Sequence, residues 1–129
     1  MNCIKACINT LLFVPEVRKF DSDQLYEIYS GFRKYNLSVK QVGVYAKLEL
    51  HSDLMCAIKR GLAKGVSCRD MEICINMQHS VWRINTVVAG IQEGLSPEDI
   101  LRYSNPNITD ERAFVLYSAA RDRMLKNKP

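Results

Sequence analysis

The chain of 129 residues has little of what a catalytic or metal site is usually made from. Its only histidines, His51 and His79, stand apart from paired thiols, and none of the five cysteines forms a C-x-x-C pair. A zinc site is therefore not expected. Because Cys3, Cys7, Cys56, Cys68 and Cys74 are odd in number and irregularly spaced, they do not read as a disulfide framework. Buried free thiols are the better reading. Neither a G-x-x-x-x-G-K nor a G-x-G-x-x-G order occurs, so no phosphate loop is present. No apolar run approaches the roughly eighteen residues needed to span a bilayer. The apolar N-terminal stretch "CIKACINTLLFV" lacks a small-residue cleavage site. These absences predict a non-enzymatic cytoplasmic protein without cofactor or metal.

What is present is a repeat. Residues 90–103 read "GIQEGLSPEDILRY", residues 61–74 "GLAKGVSCRDMEIC" and residues 31–45 "GFRKYNLSVKQVGVY". Aligned on Ser38, Ser67 and Ser96, the copies follow one another at 29 residues. Two residues before each serine stand Asn36, Gly65 and Gly94, types that tolerate the left-handed conformation closing a helix. Each serine is placed to cap the next helix, answered three residues later by Gln41, Asp70 or Asp99, and Pro97 suits a first helical position.

Ahead of each turn runs an apolar stripe: Leu25, Ile28, Gly31 and Phe32, then Met55, Ile58, Gly61 and Leu62, then Ile84, Val87, Gly90 and Ile91. This spacing lies along one helical face. Glycine inside a helix costs about 1 kcal/mol against alanine, so its recurrence in register predicts close helix–helix approach. The first copy is one residue longer between Gly31 and Ser38, which predicts an altered helix end. The second helices are short, with Val42, Met71 and Ile100 in register, followed by Tyr45, Cys74 and Tyr103. Ser22, Ser52, Ser80 and Thr109 are the candidate caps of the first helices.

The expected fold is all-α, an α-solenoid-like stack of helix-turn-helix repeats in a single domain of residues 1–129. Residues 1–20 form an N-terminal cap helix, marked by Ile4, Ile8, Leu11 and Leu12 and halted by Pro15. Residues 21–50, 51–79 and 80–108 are the three repeats. Residues 109–126 form a C-terminal cap helix with Ala119 in the glycine position.

The net charge of +4 is unevenly spread. Arg33, Lys34, Lys40, Lys47, Lys59, Arg60 and Lys64 form a basic window opposed by Glu49 and Asp53. Glu93, Glu98, Asp99, Asp110 and Glu111 form an acidic set that, by sequence proximity, faces only Arg102. Among the aromatics, Tyr35 and Trp82 are candidate binding anchors, whereas Tyr26 and Tyr29, beside the core stripe, are expected to be partly buried.

Units such as "DSDQLYEIYSGF…LSVKQVGVYAK" resemble the short helical repeats of uncharacterised proteins from Firmicute bacteria and their mobile elements. Gln24, Leu25, Glu27, Ile28, Gly31, Phe32, Leu37, Ser38, Tyr45 and Ala46 carry the resemblance, which covers residues 21–125 at most. It implies a helical-repeat architecture and a mobile-element neighbourhood, and it supplies no activity to transfer. The partner expected on that basis is another protein: a host enzyme or defence complex, including a nucleic-acid-processing enzyme or its ribonucleoprotein. An inhibitor of the anti-CRISPR kind is one such role. The candidate partner-binding residues are Arg33, Lys34, Tyr35, Lys40, Lys59, Arg60, Lys64, Trp82, Glu93, Glu98 and Asp99. The alternative is a helix-turn-helix nucleic-acid binder using the basic region 33–64. Carboxylates at the leading turn of the third second-helix, Glu98 and Asp99, argue against it.

Overall fold

The computed structural model describes residues 19–127, and over them the protein is all-α, with no strand. The proposed N-terminal helix, with Cys3 and Cys7, lies outside the described residues. Seven helices occur among those described: α1 (Ser22–Arg33), α2 (Val39–Tyr45), α3 (Ser52–Ala63), α4 (Cys68–Asn76), α5 (Val81–Glu93), α6 (Pro97–Tyr103) and α7 (Asp110–Lys126). None of them is long and apolar enough to cross a membrane. The chain forms two compact units that divide within α4, between Glu72 and Ile73.

Each helix-turn-helix is built by the chemistry its turn carries. Gly65 and Gly94 adopt φ of +96° and +85°, and Asn36 follows with +57°. At the end of α3, the Val66 amide donates to Gly61 O and the Gly65 amide to Leu62 O, the paired bonds of a Schellman closure. The end of α5 repeats this with Leu95 to Gly90 O and Gly94 to Ile91 O. In the first copy the extra residue widens the end of α1. There Leu37 still reaches Gly31 O, while Tyr35 donates to Ser30 O. Ser38, Ser67 and Ser96 then accept the amides of Gln41, Asp70 and Asp99 at 3.1, 3.1 and 3.2 Å. The Gln41 side chain closes the capping box on the Ser38 amide.

The caps of the first helices follow expectation only in the second half of the chain. Ser80 and Thr109 cap α5 and α7. Ser22 and Ser52 do not cap α1 and α3. The preceding residues Asp21 and His51 do, each presenting an acceptor to the first turn. Asp21 is also the stronger cap, since its charge meets the helix dipole and Gln24 completes a capping box.

In the first unit, α1, α2 and α3 pack on one another around Ile28, Phe32, Val42, Tyr45, Met55, Ile58 and Leu62. Leu25, expected in this stripe, is instead 41% exposed. In the second unit, α5, α6 and α7 pack around Ile84, Val87, Val88, Tyr103, Ala113 and Ala120.

Two of the three stripe glycines, Gly31 and Gly90, have a definite purpose. Tyr45 is fully buried, and its hydroxyl donates to Glu27 O at 2.8 Å, one turn before Gly31. Tyr103 repeats the arrangement, donating to Thr86 O at 3.1 Å, one turn before Gly90. A Cβ at Gly31 or Gly90 would collide with the tyrosine hydroxyl. The missing side chain is therefore the notch that seats the phenol of the second helix. Burial drives both phenols well above their ordinary pKa, so they remain hydrogen-bond donors.

Candidate interaction surface

The first unit places the basic window on and beside α1. Arg33, Lys34, Lys40, Arg60 and Lys64 are exposed, and Tyr35 is half-buried. Lys59 is a different case and does not belong to the surface. It is 4% exposed, with Nζ donating to Glu27 Oε2 at 2.6 Å and to Ser30 Oγ at 2.9 Å. Its ammonium also lies 4.9 Å from the Tyr35 ring centroid and 5.8 Å from that of Tyr26. A lysine charge this deep requires such company, because an unpaired buried ion is strongly disfavoured. Sequence reasoning counted Lys59 by its sign alone and missed its partner Glu27, 32 residues earlier.

Tyr26 and Tyr29 also depart from expectation. Tyr26 is 60% exposed and Tyr29 is exposed beside it. The Arg33 guanidinium lies over the Tyr29 ring and donates to its hydroxyl at 2.6 Å. Lys34 lies 5.6 Å from the Tyr35 centroid. Tyr26, Tyr35 and Lys34 are thus linked through Lys59, with Tyr29 and Arg33 one turn further along α1.

In the second unit the acidic set is largely neutralised from within. Asp99 pairs with Arg123 at 2.9 Å and with Arg102 at 3.6 Å. Glu93 accepts the Tyr117 hydroxyl at 2.9 Å and lies 3.4 Å from Arg121 Nε. Burial and then the Glu93 carboxylate raise the Tyr117 pKa, which keeps that hydroxyl a donor. The expectation that this set faces only Arg102 is therefore corrected: α7 folds back its own arginines. Glu98 and Glu111 remain exposed.

Asp110 is held by Arg83, which sequence analysis passed over. Arg83 is buried and directs Nε and Nη2 to Asp110 Oδ1, Nη1 to Tyr103 O and Asn105 O, and Nη2 to Ile108 O. With all five guanidinium protons engaged, it has none left for a ligand. Gln24 occupies the same repeat position in α1 and likewise gathers junction carbonyls, those of Leu48 and Leu50. In the first and third copies this register position thus ties the second helix's exit back to its own first helix.

Beside Arg83 is a cavity of ≈ 300 Å³ lined by residues that include His79, Ser80, Pro106 and Asp110. His79 is 6% exposed and its Nε2 has no hydrogen-bond partner. Burial, reinforced by the Arg83 charge, lowers its pKa and favours the neutral ring. Its neighbour Gln78 has φ of +56° and ends α4 as Gly65 and Gly94 end their helices. That helix end was not legible, since glutamine gives no signal for it.

Trp82 is exposed, as its candidacy required, and packs against Phe114 with ring centroids 6.4 Å apart. Phe114 is itself 55% exposed and next to exposed Val115. Sequence reasoning missed this companion, because Phe114 lies outside the stripe of α7 and its pairing with Trp82 depends on tertiary packing.

Among the described residues, Cys56 and Cys68 are free thiols, Cys74 is buried, and no three metal-ligating side chains converge. Comparison of the chain with protein-family models, curated proteins and solved structures finds no match in any of the three.

Proposed function

We propose that the protein is a non-catalytic helical-repeat module that binds another protein. The observation that carries this reading is the exposure of aromatic side chains in both units, Tyr26 and Tyr29 in one and Trp82 with Phe114 in the other. Rings left in water on rigid helices are costly unless a partner covers them, and aromatic anchors dominate binding energies. The buried polar groups support the same reading, since Arg83, Gln24, Glu27 and Lys59 are committed to internal bonds. The repeat pattern, with its resemblance to mobile-element proteins, makes an inhibitor that occupies a host enzyme or defence complex the favoured role, an anti-CRISPR protein being one form. Imitation of phosphates by Glu93 and Asp99 is not part of the proposal, because arginines of α7 already pair with them.

The test is capture from host lysate by the wild-type protein and by a Trp82→Ala/Phe114→Ala variant, with helical circular dichroism as the folding control. A partner retained by the wild type and lost or weakened with one aromatic surface removed supports the reading. The second reading, nucleic-acid binding, draws on the exposed cations Arg33, Lys34, Lys40 and Arg60. Tight duplex binding at physiological salt that falls steeply with added salt would establish it instead.

A further inference from the structure

The outward face of α1 has a composition that points to one kind of partner. Leu25, Tyr26, Tyr29 and Arg33 succeed one another at helical spacing on a single side, and all four are exposed. The acidic first turn, with Asp21 and Asp23, and the basic end, with Arg33 and Lys34, follow the helix dipole. The dipole does not account for the rings between them. Nor are the cations at the basic end balanced: among the described residues, neither Arg33 nor Lys34 pairs with a carboxylate, and each leans on a tyrosine ring instead.

We propose that this face docks an acidic amphipathic helix of a partner protein. Its apolar stripe would cover Leu25, Tyr26 and Tyr29, and its carboxylates would meet Arg33 and Lys34. The proposal rests on the protein-binding reading above and names the partner's chemistry. A single-stranded nucleic acid fits less well. Its phosphates are negative along their whole length and would meet Asp21 and Asp23 at one end of the same face, and Leu25 offers a base nothing to stack on. A helix with apolar and acidic positions satisfies both ends, the mode in which an amphipathic helix is read by spaced anchors. Buried Lys59 reinforces the surface from beneath, because its ammonium, fixed by Glu27 and Ser30, lies near the rings of both Tyr26 and Tyr35.

The probe is a display library of helical peptides selected on the full chain at physiological salt. Selected peptides are expected to carry an apolar stripe with Asp and Glu gathered toward one end. Their affinity should fall about tenfold or more in Arg33→Glu/Lys34→Glu and in Tyr26→Ala/Tyr29→Ala, as for losing interface anchors or charge-assisted contacts. Reselection on the charge-reversed variant should replace acidic residues by lysine and arginine. Helical circular dichroism checks that each variant folds. Peptides without acidic bias, or equal binding to the charge-reversed variant, would overturn the proposal. So would short polyuridine binding the wild type more tightly than the peptides and losing that binding in the same variant. If capture of the host partner depends on Trp82 and Phe114 but not on the α1 residues, this proposal falls while the module reading stands. If no variant alters capture of any protein, the module reading falls with it.

Discussion

Replacing Gly90 by alanine should destabilise the protein even though alanine is the better helix former. The substitution gains about 1 kcal/mol of helix propensity. Against this, the new methyl collides with the Tyr103 hydroxyl, so the ring must withdraw. Withdrawal breaks the bond to Thr86 O and leaves a buried hydroxyl unpaired, a cost of about 1–3 kcal/mol. Overpacking of the helix contact adds about 1–3 kcal/mol more. The net expectation is a loss of about 3 kcal/mol, within a range of roughly 1–5, from these same sources. Tyr103→Phe alone removes the hydrogen bond and should cost about 1 kcal/mol. In the double variant the offending oxygen is gone, and the nearest remaining atoms are ring Cζ at 3.2 Å and Leu95 Cδ1 at 3.3 Å. That fit is tight but tolerable, and the propensity gain offsets it. Gly90→Ala/Tyr103→Phe should therefore be little worse than Tyr103→Phe alone, which amounts to a coupling of about 2–3 kcal/mol. Urea unfolding of the four proteins measures it, followed by the fluorescence of Trp82, the only tryptophan, and by helical circular dichroism. Additive costs within about 0.5 kcal/mol, or a stabilised Gly90→Ala, would refute the notch. Gly31 and Tyr45 offer a parallel cycle, in which Cζ and Val42 Cγ2 both stand at 3.3 Å.

Lys59→Met should cost about 3–5 kcal/mol by leaving Glu27 charged and unpaired, and adding Glu27→Leu should recover most of that loss in the same unfolding assay. Arg83→Lys should be strongly destabilising despite the conserved charge, by about 3 kcal/mol or more, because an ammonium cannot serve three carbonyls and Asp110 together; a melting temperature close to wild type would contradict it. Acidification should lower stability through His79. Its folded pKa lies below the ordinary 6.5, so the unfolded chain takes up the proton first. Stability is then full above about pH 6.5 and declines below it, toward the folded value. His79→Leu should flatten the melting-temperature profile over that interval, and an unchanged slope would show that His79 is not the group responsible.

The repeat itself was legible because its signals are local. Gly65, Gly94 and Asn36 announce left-handed closures, and Ser38, Ser67 and Ser96 announce caps, each within a few residues of the bond it makes. The stripe glycines could be read as sites of close approach, though not as seats for Tyr45 and Tyr103, since the sequence does not say which side chain fills the gap. Charge was read least well. Lys59 and Glu27, Arg83 and Asp110, and Asp99 and Arg123 are separated by 32, 27 and 24 residues, so their pairing depends on how helices pack. The basic window and the acidic set were drawn along the chain, whereas packing removes Lys59 from the first and neutralises much of the second. Exposure of Tyr26 and Tyr29 was missed for a related reason. Their positions flank the stripe, and only the packing of α1 decides which flank is covered.

The tyrosine and its glycine belong to the same repeat, 14 residues apart in the first copy and 13 in the third. A duplication that copies a whole unit therefore carries both halves of the fastening together, and the new copy needs no compensating change elsewhere. Point mutation has the opposite character, since either half altered alone leaves a collision or an empty notch. The second copy has Gly61 in the glycine's position but Cys74 in the tyrosine's, so the pair is not repeated there. At position 119 the notch itself has been filled by an alanine methyl. A tyrosine-bearing helix could not be seated on α7 in the same manner until that methyl was removed, so this helix cannot take the fastening by gaining a partner alone.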